Sequence, residues 1–346
     1  MPAEWEPHQC CFMAWPTRKS LWGDMFARAK LDYAEAARAI AGFEPVVMIC
    51  RPGDAADVVD HCGSSVQVTE IEIDDSWTRD SGPVFVVNDR GHLAAVDFGF
   101  NSWGGKYLPH SRDAALGAAL ADVLGVKRYQ APFVLEGGAF YTDGEGTVLT
   151  TEGPVLDPAR NGAASRPLFE QIAREYLGAD QVLWLVAFPD RDTDGHVDGI
   201  AQFAGPAQLL LLVPAAPGHA NYAFARENIA RLAAATDARG RPVDVIPFEV
   251  TASARIGGEA FDVPYLNCYL ANGAWSRRWP ARRPMRRRWR GSGRHSVIVR
   301  WSGFPGPRCP TGAAARTALR SRCRWGGRCR DPPAPPARSG LEENRW

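Results

Sequence analysis

Apolar positions in this chain come in short blocks that alternate between strand-like runs and helical spacing. Cys11-Phe-Met-Ala-Trp15 and Val46-Val-Met-Ile-Cys50 are continuous runs of strand length, the first ended by Pro16. Between them, Met25, Ala29, Tyr33, Ala36, Ala37 and Ile40 predict a helix from about Leu21 to Ala41, which Gly42 stops. Arg51-Pro-Gly53 is a turn, Asp54 an N-cap for a helix reaching His61, and Val66–Ile73 alternates like a strand. Pro83–Val87 and Leu93–Phe98 flank Asn88-Asp-Arg-Gly91, while Ala139–Thr142 and Thr147–Thr150 flank Asp143-Gly-Glu-Gly146. Each set reads as a hairpin. Helices are predicted over 113–124, 165–177 and 222–234, with strands over 182–188, over 208–213 and near Val243.

Strand, hairpin and helix thus recur every few tens of residues without close sequence identity, as expected of a closed assembly of similar units. A doubly wound parallel sheet would show longer helices between single strands and fewer hairpins. The pattern predicts a repetitive α/β or α+β fold.

Composition narrows the class. The 346 residues are 45% hydrophobic and 23% charged, ordinary for a soluble globular protein. No apolar run reaches the length of a membrane span, and the N-terminus lacks a signal peptide's basic start and apolar stretch, so a cytoplasmic location is expected. The eight cysteines show no paired CxxC spacing, which predicts neither a zinc site nor a disulfide framework. The net charge of +1 conceals a division. Residues 275–346 hold nineteen Arg, no Lys and three acids, a net of +16, which leaves −15 on residues 1–274.

Three stretches carry candidate chemistry. In Asp190-Arg-Asp-Thr-Asp-Gly-His196-Val-Asp198-Gly199, a loop between apolar runs, an imidazole and a carboxylate two residues apart can be aimed into one pocket. Such a carboxylate fixes the imidazole tautomer or raises its pKa, which suits acid–base work. Asp74-Asp-Ser-Trp-Thr-Arg-Asp80-Ser-Gly-Pro83 gathers Trp77, Arg79 and Asp80 at a strand end. In Val134-Leu-Glu136-Gly-Gly138 an acid leaves an apolar strand where two glycines let the backbone approach something closely. Phe98-Gly-Phe-Asn-Ser-Trp-Gly-Gly105 adds an aromatic loop able to wall a pocket. Taken singly, each also reads as something ordinary: a solvated turn, an Arg–Asp pair, a bulged strand end, a piece of core.

Together these stretches resemble the agmatine deiminase family, among the bacterial-type peptidylarginine deiminases. The likeness rests on Met1-Pro-Ala-Glu-Trp-Glu-Pro-His8, the Asp75–Pro83 block, Asn101-Ser-Trp-Gly-Gly105, Leu135-Glu-Gly-Gly138, Asp194-Gly-His-Val-Asp198 and Pro264-Tyr-Leu-Asn267 through Asn272-Gly-Ala274. They stand in the family's order over residues 1–274. The resemblance implies a pentein, the five-bladed pseudo-symmetric α/β propeller of guanidine-modifying enzymes. It implies a hydrolase of polyamine biosynthesis that converts agmatine and water to N-carbamoylputrescine and ammonia through a Cys-thiolate amidino intermediate. No cofactor or metal is expected. By the resemblance Asp80 and Asp198 grip the guanidinium, His196 is the general acid, Glu136 orients or charges it, and Trp77 and Trp103 line the substrate. The small cationic substrate is the expected partner, without membrane, and a homodimer is compatible with the family. Peptidylarginine or another guanidine compound is an alternative substrate. A non-catalytic guanidinium- or nucleic-acid-binding protein is the alternative of another class, although the tail lacks the lysines and periodicity of a folded reader.

One family feature is missing. The nucleophilic cysteine belongs in a segment of the form Gly-Gly-Gly-x-x-His-Cys followed by Thr-Gln-Gln near the C-terminus, and no such segment is translated. After Ala274 the composition turns abruptly to Arg, Pro, Trp, Gly and Ala, with six of the twelve Trp. This looks like a GC-rich gene read out of frame. Synonymous codons for Thr311–Cys323, read from the third base onward, encode Gly-Gly-Gly-Gly-Pro-His-Cys-Val-Thr-Gln-Gln-Val-Pro, with the Cys codon spanning Thr317 and Ala318. The expectation is therefore a deiminase domain over 1–274 with its fifth unit truncated, followed by an out-of-frame, disordered tail over 275–346. The chain as translated is expected to lack activity.

Overall fold

Asn88 turns the chain by accepting the backbone N–H groups of Arg90 and His92 on its side-chain oxygen, at 3.0 and 2.9 Å. Gly91 completes that turn with φ +79°, a conformation that costs glycine little. Asp143 repeats the device on Glu145 and Thr147, with Gly146 at φ +101°. These two turns close the hairpins read from the sequence: β4 (Val84–Val87) with β5 (Leu93–Gly99), and β7 (Phe140–Thr142) with β8 (Thr147–Thr151).

The computed structural model describes residues 1–250, 253–256, 259–262 and 266–273. β1 (Cys11–Ala14), β2 (Val46–Cys50) and β3 (Val66–Glu70) form a parallel three-stranded sheet. The next three sheets share one plan, an antiparallel hairpin followed by a helix and a strand parallel to the second hairpin strand. β6 (Lys127–Val134) joins β5 in this way, β9 (Gln181–Leu185) joins β8, and β12 (Asp244–Val250) joins β11 (Gln208–Pro214), whose antiparallel partner is β10 (Ala201–Gly205). β13 (Ser253–Ile256) and β14 (Glu259–Asp262) form a fifth, antiparallel pair. The architecture is thus mixed α/β sheets in successive units. The expected structure of the tail lies outside the described residues. Among the described residues no helix is long and apolar enough to cross a membrane.

Each crossover helix buries one face. Ala29, Tyr33, Ala36, Ala37 and Ile40 of the helix Phe26–Ala41 are buried with Met13, Trp15 and Met48 of the first sheet. The predicted helix from Leu21 is broken by a 3-10 turn at Gly23–Met25, and the one over 165–177 runs as an α-helix only to Ile172 before a π-helical turn. The strand expected to reach Phe188 stops at Leu185, because the Asn228 side chain takes both backbone groups of Val186. β3, expected to reach Ile73, ends at Glu70, and beyond it Asp113 accepts the N–H groups of Asp74 and Asp75.

The two ends of this body are fastened together. Asn272 accepts the His8 N–H at 2.8 Å and donates to the His8 carbonyl at 2.7 Å. Beneath this pair, the buried Glu44 carboxylate meets His8 at 3.2 Å, the Asn272 N–H at 2.8 Å, and the Tyr269 hydroxyl.

Before β4, β7 and β10 the chain makes the same move, a single helical turn leading into the hairpin: Thr78–Ser81, Gly137–Ala139 and Val197–Gly199. The second of these turns packs on both the first and the third. The repeat thereby brings three distant sequence segments to one place.

Candidate active site

The three turns deliver the residues singled out in the sequence. Asp80 is buried in the first turn, where its Oδ1 accepts the Gly138 N–H and its Oδ2 accepts the Trp103 indole N–H, each at 2.9 Å. Glu136 is 0% exposed and lies just before the second turn. His196 and Asp198 come from the third. The His196 Nδ1 lies 3.9 Å from Asp80 Oδ1, and its Nε2 lies 3.5 Å from Glu136 Oε2. Neither atom of that second pair makes a conventional hydrogen bond.

Gly138 stands at the centre. A Cβ there would fall 2.5 Å from His196 Nδ1, 2.7 Å from Asp198 Oδ2 and 2.9 Å from Asp80 Oδ1. A Cβ on Gly137 would fall 2.1 Å from the Arg79 carbonyl oxygen. The two glycines thus let the second turn press against the first and leave three polar groups facing one small space. Asp80, His196 and Asp198 converge there, and Glu136 backs the imidazole from its Nε2 side.

Of the two tryptophans singled out, Trp103 bonds a site carboxylate directly. Trp77 packs behind it, edge-on at 5.8 Å, and stacks on Trp22 at 5.8 Å. Its link to the carboxylates runs through Trp103.

Residues 1–275 match the Porphyromonas-type peptidyl-arginine deiminase family. The chain belongs to that family. An agmatine deiminase of Stutzerimonas stutzeri is 40% identical over 256 residues, covering 71% of this chain and 68% of that protein. An agmatine deiminase of Pseudomonas aeruginosa is 37% identical over 252 residues, with the same 71% and 68% coverage. A solved structure of the Enterococcus faecalis agmatine deiminase aligns with TM-score 0.75 at 31% identity, covering 79% of this chain and 81% of that one.

The site of this deiminase-family chain is strongly acidic, and burial sharpens each interaction. Burial works to raise the Glu136 carboxyl, but His196 and then Arg160 outweigh it and hold it below the ordinary carboxylate range. Burial works to lower His196, yet Asp80, Glu136 and Asp198 raise the imidazole above its usual value. For Asp198 burial wins over His196 and Arg79, and its pKa is pushed up to about 6.

The sequence reading passed over Arg160 and gave Asp194, although within a quoted motif, no role. The Arg160 side chain is 0% exposed, and its Nε meets Glu136 Oε1 at 2.7 Å. Its Nη1 meets Asp157 and Asp194, both at 2.7 Å. A lone Arg in Pro158-Ala-Arg-Asn161 carries no motif, and only the Asp157-Pro158 helix-start signal marks the spot. The Cys268 thiol donates to Gln202 Oε1 at 3.3 Å. Burial pushes it up to about 11, against Arg79 and the Gln202 hydrogen bond, so at neutral pH it is a thiol and not a thiolate.

Proposed function

We propose that this chain carries the guanidinium-binding and proton-transfer parts of an agmatine deiminase. The observation that carries the reading is the convergence of Asp80, Asp198 and His196 around Gly138. A guanidinium is planar and cationic, so carboxylates on its N–H edges both hold it and leave its carbon open to attack. In this reading Asp80 and Asp198 are those carboxylates, and the Trp103 indole fixes Asp80 in orientation. Trp77 supports Trp103 from behind.

The reaction adds a thiolate to the guanidinium carbon. His196 then delivers a proton as ammonia leaves, the amidino group remaining on sulfur. A water molecule, deprotonated by His196, attacks the same carbon and releases the ureido product with the thiol restored. Glu136 keeps the imidazole charged and aimed. The raised His196 suits a group that must hold a proton near neutrality and give it up to a leaving amine.

The finer architecture belongs to the same reading: a five-bladed pentein, with the β13–β14 pair as the start of a fifth unit. Residues 1–274 are the deiminase domain, and the family match ends at residue 275, where the composition turns basic. The nucleophilic cysteine lies in the other reading frame, at Thr317 and Ala318. Removing a nucleophile from a catalytic unit lowers the rate by on the order of 10⁶-fold. The chain as translated therefore binds agmatine without hydrolysing it.

Ammonia release from agmatine tests this. None above background is expected from the chain as translated, and turnover is expected once the frame is restored after Ala274. Changing the restored His-Cys cysteine to Ser then abolishes it. Turnover by the unrepaired chain that Cys268→Ala removes would overturn the assignment of the missing nucleophile. Preference of the restored protein for peptidyl arginine over agmatine would overturn the substrate.

A further inference from the structure

We infer that Arg160 is a positioning residue for this site, fixing the Glu136 carboxylate against His196 and fastening the turn from which His196 projects. The inference rests on the reading of Glu136 and His196 as the proton-transfer pair, but its evidence is separate.

Arg160 sits on the helical turn Pro158–Asn161, whose first turn is capped by Asp157 accepting the Ala159 N–H at 2.9 Å. This turn touches the approaches to the second and third site segments and the loop that carries Trp103. Asn161 takes both backbone groups of Val134, at 2.8 and 2.9 Å, two residues before Glu136. The Ala159 carbonyl accepts from Asn101 at 2.9 Å, two residues before Trp103. Arg160 donates to the Thr193 carbonyl at 3.0 Å and to Asp194, two residues before His196. One short turn therefore sets the approach of Glu136, Trp103 and His196 together.

The guanidinium fork explains why the residue is Arg. Its Nε faces Glu136 while its Nη atoms face Asp157, Asp194 and Thr193, a planar spread that an ammonium cannot reproduce. Asp194 is held at φ +64°, uncommon for a non-glycine residue, and Gly195 follows at φ +86°. Lys106 reaches the same Asp194 oxygen, Oδ2, at 2.7 Å, so the strained turn is gripped by two cations. The grip on Glu136 leaves its second oxygen directed at His196 Nε2. Without Arg160 a wholly buried carboxylate would face only the imidazole.

The charged groups around Glu136 are His196 and Arg160 in contact, Asp157, Asp194 and Lys106 behind Arg160, and Asp80, Asp198 and Arg79 beyond His196. Removing one positive charge from this set favours proton uptake by the rest. Protonation of Glu136 therefore shifts to higher pH when Arg160 is lost.

The test follows the His196 ring by NMR in the histidine-labelled full chain, with the signal identified by its loss in His196→Asn. In Arg160→Gln the inflection that reports Glu136 protonation is expected at higher pH than in the parent, and amide exchange at Gly195 and His196 should be faster. Arg160→Lys keeps the charge, so it should restore the inflection while leaving exchange fast. Should Arg160→Gln not fold, Arg160→Lys carries the test by its exchange at the 193–196 turn. An unmoved inflection in folded Arg160→Gln, or parental exchange in Arg160→Lys, would overturn the assignment. Calorimetry with agmatine on the same samples separates the two readings. A parent that gives the expected titration and no binding heat fails the functional reading and leaves Arg160 in its role.

Discussion

Trp103 donates its indole N–H to Asp80 from a backbone in the left-handed region, at φ +54°, between Ser102 at +59° and Gly104 at +84°. Non-glycine residues pay about 1–3 kcal/mol each for such conformations, which persist where the surroundings over-determine them. Here the Asn101 side chain accepts the Gly104 N–H at 2.9 Å, and Ser102 Oγ donates to the Tyr107 carbonyl at 2.7 Å. The strain is thus spent on aiming one donor at one carboxylate.

Trp103→Phe keeps an aromatic ring, though a smaller one, and deletes that donor. A buried hydrogen bond to a charged acceptor contributes about 1.5–3 kcal/mol. Agmatine affinity should fall roughly tenfold to a hundredfold, read by calorimetry, with the circular dichroism of the fold unchanged. Parental affinity would show that Asp80 needs no such orientation.

Gly138→Ala should abolish agmatine binding. The added methyl lands under 3.0 Å from His196, Asp198 and Asp80 at once, so these groups must move apart. Overpacking of this kind costs about 1–3 kcal/mol, and the chain should still fold. The comparison is between binding heat and melting temperature: the first disappears, the second falls by a few degrees.

Asp198 predicts a conflict between binding and stability. Its folded pKa of about 6 stands above the unfolded 3.8, so between those values the native state holds the extra proton. Stability on this account falls as pH rises through that window and stays lower above it. Asp198→Asn should therefore raise stability at pH 7, by on the order of 2–3 kcal/mol, while removing guanidinium binding. Denaturant melts at pH 4 and pH 7 check the sign, since the gain should vanish at the lower pH. In the parent, agmatine affinity should weaken as pH drops below about 6.

Glu44 behaves in the opposite sense. Burial works to raise it, but His8, Tyr269 and the Asn272 N–H outweigh burial and lower it. Its contribution is present above the unfolded carboxylate pKa and is lost as pH falls through the folded value. Glu44→Gln should destabilise the chain at pH 7 by about 1–3 kcal/mol, the usual cost of leaving buried hydrogen-bonding groups without their charged acceptor, and much less at pH 3. Urea melts at both values measure the difference.

The repeat plan was legible because hairpin turns have a local code: Asn88 with Gly91, and Asp143 with Gly146, state their geometry in four residues. Asp80, Glu136, His196 and Asp198 were legible because each sits where an apolar run ends in a short polar motif. β6 was harder to read, since Lys127-Arg-Tyr-Gln130 is exposed on both faces and shows no alternation. Arg160 was hidden for another reason. Its partners Glu136 and Asp194 lie 24 and 34 residues away, and the helical spacing to Asp157 alone does not connect a surface-type residue to a buried task. The end of β9 at Leu185 was likewise set from outside, by a single Asn in the next unit.

The fastening of His8 to Asn272 has a consequence for how the chain is made. The two are 264 residues apart, among the most distant contacts in the body, and closing such a loop is entropically slow. At ribosomal speeds of about 5–20 residues per second, His8 waits roughly 10–50 s for its partner to be synthesised. Throughout that interval Glu44 has His8 but neither Tyr269 nor the Asn272 N–H. The first sheet is therefore born with an unfinished polar seam, and the last few described residues complete the first unit as much as they belong to the last.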